Sequence, residues 1–236
     1  MSRSLEGQLA LVTGASRGIG AATAEALAGQ GAHILLTART GEDLEQVEER
    51  IFASGGSATI APLDLTDGDS VGKLASAVAE RWQKLDILVL NAAMLGTLTP
   101  VPQIDGKEFG KLLTLNLLAN QALIAAFDPL LRKSERGRLL ALTSSVGRNA
   151  RAYWGAYGAS KAALEALALS YGDEMRNISS IKVAIVDPGA TATVMRARAF
   201  PGEDQTALKS PSAVADAIVE LLGQDFETGH RLEVRS

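Results

Sequence analysis

This chain contains no cysteine, which excludes a disulfide framework and any thiolate nucleophile or metal ligand. Only two histidines occur, His33 and His230, and neither stands at metal-ligand spacing from a partner. Both read as structural residues, so no metal site is expected. No uninterrupted apolar run approaches the ~20 residues that a membrane-spanning helix needs. The stretch Met1–Gly7 lacks the basic and apolar regions of a secretory leader, so a soluble cytoplasmic protein without a membrane partner is expected. The net charge of −4 is spread without long runs, leaving no footprint for nucleic acid or anionic membranes. No linker, repeat or low-complexity segment divides residues 1–236, a length that suits a single α/β domain. A G-x-S-x-G elbow is also absent, which removes one hydrolase class, and neither histidine stands convincingly near Ser144. The paired carboxylates Glu48 and Glu49 fall on a solvated helix rather than at a strand end.

What the chain does have is apolar residues, 47% of the total and enough for a sizeable core. Strand-like runs recur at Leu9–Thr13, His33–Thr37, Ala58–Ala61, Ile87–Leu90, Arg138–Thr143, Lys182–Val186 and Arg231–Val234. Helical patterns separate them, at Ile19–Gly29, Gly41–Ser54, Asp69–Lys84, Ile104–Leu131, Gly155–Ile178 and Pro211–Leu222. Alternating strands and helices predict a seven-stranded, mostly parallel sheet with helices on both faces. Continuously apolar strands fit burial on both sides, and right-handed crossovers make the fold doubly wound. Ligands then bind at the carboxyl ends of the strands.

The first strand runs into Gly14-Ala15-Ser16-Arg17-Gly18-Ile19-Gly20 and then a helix. Strand, glycine turn and helix form the context of a dinucleotide cradle. Gly14 suits the tight turn, Gly18 lets backbone approach a pyrophosphate, and Gly20 lets the helix pack closely on the strand. The helix N-terminus offers free N–H groups and a positive dipole end to phosphates. The spacing G-x-x-x-G-x-G differs from the commoner G-x-G-x-x-G, and no Gly-Lys-Ser/Thr follows to suggest phosphoryl transfer. At the end of the second strand, Ala38 stands where an NAD enzyme carries an acid for the ribose hydroxyl. Arg39 follows it and Arg17 lies in the glycine loop, so two guanidinium groups flank the position of a 2′-phosphate. This favours NADP(H) as cofactor; the competing reading makes both arginines solvated surface residues.

Tyr157 and Lys161, four residues apart, share a helix face. A neighbouring ammonium favours the phenolate, so Lys161 is expected to lower the Tyr157 pKa and make it a working acid or base. Ser144 stands thirteen residues before the tyrosine, a spacing that favours it over its rival Ser145.

Glycine cradle and tyrosine–lysine pair, in this order, make the chain resemble the short-chain dehydrogenase/reductase family along essentially its whole length. Ser144-Ser145-Val146-Gly147-Arg148, Trp154-Gly155-Ala156-Tyr157 and Thr193-Val194-Met195-Arg196-Ala197 are similar to a bacterial subgroup known as uncharacterised oxidoreductases. The resemblance implies a Rossmann domain and an NADP(H)-dependent oxidoreductase acting on a carbonyl or secondary alcohol. Tyr157 would exchange the proton, Ser144 would donate a hydrogen bond to the substrate oxygen, and Lys161 would hold the nicotinamide ribose. Asn116 matches the family asparagine that anchors a water to that lysine, although a satisfied core amide or a helix kink would also explain it. Ser16 and Ile19 join the glycine loop as cofactor contacts. Asp64 and Leu65 would face the adenine, with Asp64 alternatively a helix cap or a turn residue. Asn91 and Ala92 would meet the cofactor through backbone, in a motif whose outer positions, Leu90 and Ala93, depart from the family. Pro188, Gly189, Thr191 and Thr193 would contact the carboxamide and phosphates. Substrate would lie against Met94, Leu95, Val146, Tyr153, Trp154, Val194, Met195 and Phe200, under a mobile segment from Thr191 to Ser210. Arg196, Arg198 and Lys209 in that segment solvate it or attract an anionic substrate. A homodimer or homotetramer is the implied assembly, built on the small-residue helix after Tyr157 and the Asn116 helix. A non-catalytic NADP(H)-binding sensor or scaffold is the alternative; it would be free to lose the residues retained here.

Overall fold

A computed structural model describes residues 4–235, so residues 1–3 of the Met1–Gly7 stretch lie outside the described residues. The chain runs β1 (Leu9–Thr13), α1 (Gly18–Gly29), β2 (His33–Thr37), α2 (Gly41–Ala53), β3 (Ser57–Ile60), α3 (Gly68–Arg81) and β4 (Ile87–Leu90). It continues through α4 (Gly106–Leu113), a π-helical turn (Thr114–Leu118), α5 (Ala119–Leu131), β5 (Arg138–Leu142), α6 (Ser145–Arg148) and α7 (Gly155–Met175). It closes with β6 (Lys182–Asp187), α8 (Val194–Ala199), α9 (Pro211–Gly223) and β7 (His230–Glu233).

The strands form one sheet in the order β3-β2-β1-β4-β5-β6-β7, and every pairing is parallel. The chain reverses direction across the sheet between β1 and β4, which opens a crevice at their carboxyl ends, the ligand position in doubly wound folds. Alternation along each strand explains the continuous apolar runs. Ala10, Val12, Ile34, Leu36, Val89, Leu140 and Val186 turn to one face, beneath α1, α2 and α9. Leu9, Leu11, Leu35, Leu88, Leu90, Leu139 and Ile185 turn to the other, beneath α3, α5 and α7.

Most boundaries fall within a few residues of the expected ones. α3 stops at Arg81 rather than Lys84, where Gln83 takes a positive φ of 65°. α7 stops at Met175, short of the expected Ile178. The expected helix over 104–131 begins at Gly106, capped by Asp105 Oδ1 on Glu108 N (2.8 Å), and is interrupted by the π turn around Asn116. By length and composition this run, Gly106–Leu131, is long and apolar enough to cross a bilayer. Here Leu112, Leu123, Phe127 and Leu131 turn inward and are fully buried. His33 is structural: its ring nitrogens each lie 2.9 Å from a hydroxyl of β3, Ser57 Oγ and Thr59 Oγ1. His230 is an exposed residue opening β7.

Candidate active site

The glycine turn is shaped by left-handed backbone at two positions and by close contact at a third. Gly14 has φ of 64° and Gly18 of 58°, both in the left-handed region that favours glycine. A Cβ on Gly20 would collide with Gly14 O and lie 2.5 Å from Asn91 Nδ2, so α1 reaches the strand only with glycine there. The turn is braced from β4. Thr13 Oγ1 donates to Val89 O (3.1 Å) and accepts from Asn91 N (2.9 Å) and Ala92 N (3.0 Å). The Asn91 amide donates to Thr13 O (2.8 Å) and Gly14 O (3.2 Å). Its side-chain nitrogen therefore buttresses the cradle. Arg17, at the N-cap of α1, and Arg39, just beyond β2, are exposed and form no salt bridge among the described residues. Two uncommitted guanidiniums beside a glycine turn with open φ-positive backbone fit a phosphorylated dinucleotide. Asp64 takes its turn-residue alternative: Oδ1 accepts from Thr66 N (2.9 Å) and Thr66 Oγ1 (2.7 Å), bonds that hold its carboxyl below the usual range. The adjacent Leu65 is buried.

Ser144, Tyr157 and Lys161 line one cavity of about 140 Å³ with Ile19, Asn91, Pro188, Gly189, Thr191 and Thr193. Ser144 caps α6, and Tyr157 and Lys161 stand one turn apart on the buried face of α7. Lys161 Nζ donates to Leu142 O (2.8 Å) and lies 5.8 Å from the Tyr157 ring centroid. The electrostatics correct the expectation that the lysine lowers the tyrosine pKa. Burial, and then the charge of Asp187, push the phenol well above its ordinary value. Burial also pushes the Lys161 ammonium down to about 8, so the pair sits in a medium that disfavours both charged forms.

Asn116 is fully buried and is a satisfied core amide inside the π turn. Its Oδ1 accepts from Met94 N (2.8 Å), and its Nδ2 donates to Met94 O (2.9 Å) and Ser160 Oγ (3.0 Å). Ser160 Oγ in turn donates to Tyr157 O (2.8 Å). Asn116 thus reaches the backbone of the tyrosine, and its side chain makes no bond to Lys161. Its carbonyl accepts from the buried Asn120 amide (2.8 Å).

Of the expected substrate residues, Leu95, Trp154 and Met195 line the cavity. Met94 instead holds Asn116, and Tyr153 and Val194 are more than half exposed. Val146 turns its carbonyl onto Gly158, where a Cβ would lie 2.8 Å away. Phe200 packs against Trp154 with ring centroids 5.6 Å apart and does not itself line the cavity. Arg196 is a lining residue held by Glu203 in a two-pronged ion pair (2.5 and 2.6 Å), with its guanidinium over Phe200. Lys209 Nζ donates to Ala190 O (3.1 Å), so two of the three cations in the segment are engaged with protein.

Thr13, Asn120, Ser160 and Glu165 carry site architecture that sequence reasoning missed. Ser160 sits inside the tyrosine–lysine motif, and Glu165 follows Tyr157 and Lys161 at the same four-residue interval. Those intervals were the available signals. Thr13 offered only a polar residue ending an apolar strand.

The model of the short chain dehydrogenase family matches residues 8–204. The chain is 37% identical over 224 residues to the uncharacterized oxidoreductase YciK of Escherichia coli strain K12, covering 94% of this chain and 88% of that one. A structure assigned as a short chain dehydrogenase from Pseudomonas syringae superposes with a TM-score of 0.96 at 36% identity, over 100% of this chain and 97% of that one. Another, from Escherichia coli CFT073 and complexed with NADPH, gives 0.93 at 36% identity, over the whole of both chains.

Proposed function

This chain belongs to the short chain dehydrogenase family, and from that premise we propose that it is an NADP(H)-dependent oxidoreductase moving a hydride between nicotinamide and a carbonyl or secondary alcohol. The observation that carries this reading is the convergence of Ser144, Tyr157 and Lys161 on one cavity with the loop Pro188–Thr193. NADP(H) is supported by the unpaired Arg17 and Arg39, by Ala38 where an acid would select NAD, and by the relative that binds NADPH. When bound, the nicotinamide supplies or accepts the hydride. Tyr157 holds the proton that passes to the carbonyl oxygen during reduction. Its buried phenol favours the protonated form, which is the form that donation requires. Ser144 Oγ donates to the same oxygen. Lys161 spends one N–H on Leu142 O and keeps two donors for the cofactor side. Phe200, Trp154 and Met195 exclude water from the reacting face. In the same proposal the protein is a cytoplasmic homodimer or homotetramer joined through α5 and α7, with Leu118, the last residue of the π turn that leads into α5, 56% exposed.

A panel of ketones, aldehydes and alcohols, followed by NADPH absorbance with NADH in parallel, tests the activity. Tyr157→Phe is expected to lower turnover by about 10²–10⁴-fold while NADPH affinity stays near wild type. Residual activity above about a tenth would contradict the role of the phenol.

A further inference from the structure

We propose that Arg148 is a positioning residue of the catalytic centre, the cation shared by Glu165, Asp187 and Glu233, which anchors the Ser144 turn and balances the carboxylate acting on the Tyr157 phenol. This rests on the reading of Tyr157 as the proton-exchanging group. Arg148 ends α6, a four-residue helix whose cap is Ser144 and whose own hydrogen bonds are too few to hold it. Its guanidinium reaches three other elements. Nη2 lies 2.7 Å from Glu233 Oε1 on β7 and 3.9 Å from Asp187 Oδ2 on β6, and Nε lies 4.0 Å from Glu165 Oε2 on α7. Glu165 and Asp187 are buried, and Glu165 Oε2 has no hydrogen-bond partner. Arg231 pairs with the other Glu165 oxygen at 2.6 Å, and Gly189 N donates to Asp187 Oδ1 at 3.0 Å. Two carboxylates this far from water need a cation, and removing one partner of a buried pair is costly.

The geometry ties this cluster to catalysis. Tyr157, Lys161 and Glu165 descend one face of α7 at four-residue intervals, so the arginine meets the base of the helix face that presents the phenol. Gly147 packs α6 onto that helix so closely that a Cβ would lie 3.0 Å from Ala162 N. The charges around Tyr157 are Lys161 on α7, Asp187 on β6, Arg196 on α8 and Lys209 beyond it. Arg148, Glu165, Arg231 and Glu233 stand behind them. Burial is the main influence that keeps the phenol protonated, Asp187 is the carboxylate that adds to it, and Arg148 lies 3.9 Å from that carboxylate.

The deciding measurement is an ultraviolet titration of the NADP⁺-loaded protein. The Tyr157→Phe spectrum is subtracted to isolate this phenol from Tyr153 and Tyr171, the chain's other two tyrosines. Arg148→Met is expected to raise the Tyr157 midpoint by about one pH unit, and Arg148→Lys to keep most of the wild-type value. Asp187→Asn should lower the midpoint, and in that background the Arg148→Met shift should shrink by about half or more. Arg148→Gln takes its place in both arms if Arg148→Met does not fold. An unchanged midpoint in a folded Arg148→Met protein, or an undiminished shift without Asp187, overturns the proposal. The underlying reading fails differently, through a Tyr157→Phe protein that still turns over or a chain that does not bind NADP⁺.

Discussion

The two halves of the crevice are built from different materials. On the β1–β2 side the site is backbone: two glycines in left-handed conformation, a third where a Cβ has no room, and a brace from Thr13 and Asn91. On the β5–β6 side it is buried charge and phenol: Lys161, Glu165, Asp187 and Tyr157, each shielded from water. The first half is ruled by backbone conformation and volume, with its charges, Arg17 and Arg39, exposed at the rim; the second is ruled by buried charge. Added atoms should therefore damage the cradle, whereas isosteric changes of charge should damage the catalytic side.

The largest expected effect tests the volume rule. Gly20→Ala should destabilise the protein by about 3 kcal/mol, the upper range for overpacking, in urea unfolding. Retention of wild-type stability and NADPH affinity would break the comparison from the cradle side. Next comes the charge side. The Lys161 ammonium is lowered from an ordinary 10.5 to about 8 in the folded protein. Between those values the unfolded chain binds more protons than the native one, so stability rises with pH through that window. Below about pH 8 both states are charged and the gain is absent. The raised Tyr157 phenol acts in the opposite direction above its ordinary value of 10.0, so melting curves should be compared from pH 8 to 9.5. Wild type should gain a few degrees over that range relative to Lys161→Met, as a change of 1 kcal/mol moves Tm by roughly 2–4 °C at this size. Parallel curves would mean that the lysine titrates normally. A smaller effect sharpens the cofactor assignment: Arg39→Ala should weaken NADPH about tenfold, roughly one charge-assisted contact, and leave NADH unchanged. Gly72→Ala serves as the control for the cradle. Gly72 is exposed in α3 with nothing within 4 Å of a Cβ, so the same methyl should stabilise by about 1 kcal/mol.

The central strands were legible because each is apolar on both faces, and such runs have little alternative use in a chain this length. The glycine cradle was legible because the positions that need positive φ or close approach admit little else. Helix ends were less so, since Arg81 and Met175 stop their helices without a strong local stop signal. The short helices α6 and α8 were missed, as four and six residues carry too little periodicity to register. The substrate list failed where orientation mattered. Val146 and Val194 have the right chemistry but do not line the cavity, and Val194 is left half exposed.

The succession of strands and helices along the chain, the doubly wound sheet it implies and the identity of the cradle belong to the sequence itself, because alternation and glycine spacing are local properties. The state of the catalytic pair does not. A tyrosine and a lysine one turn apart suggest mutual activation in water, but burial outweighs that attraction and drives both toward neutrality. Where Asp187, Glu165 and Arg148 meet is decided by how α6, α7 and β6 pack together. Only the packed structure brings them within reach of one another, and desolvation is a property of that packing.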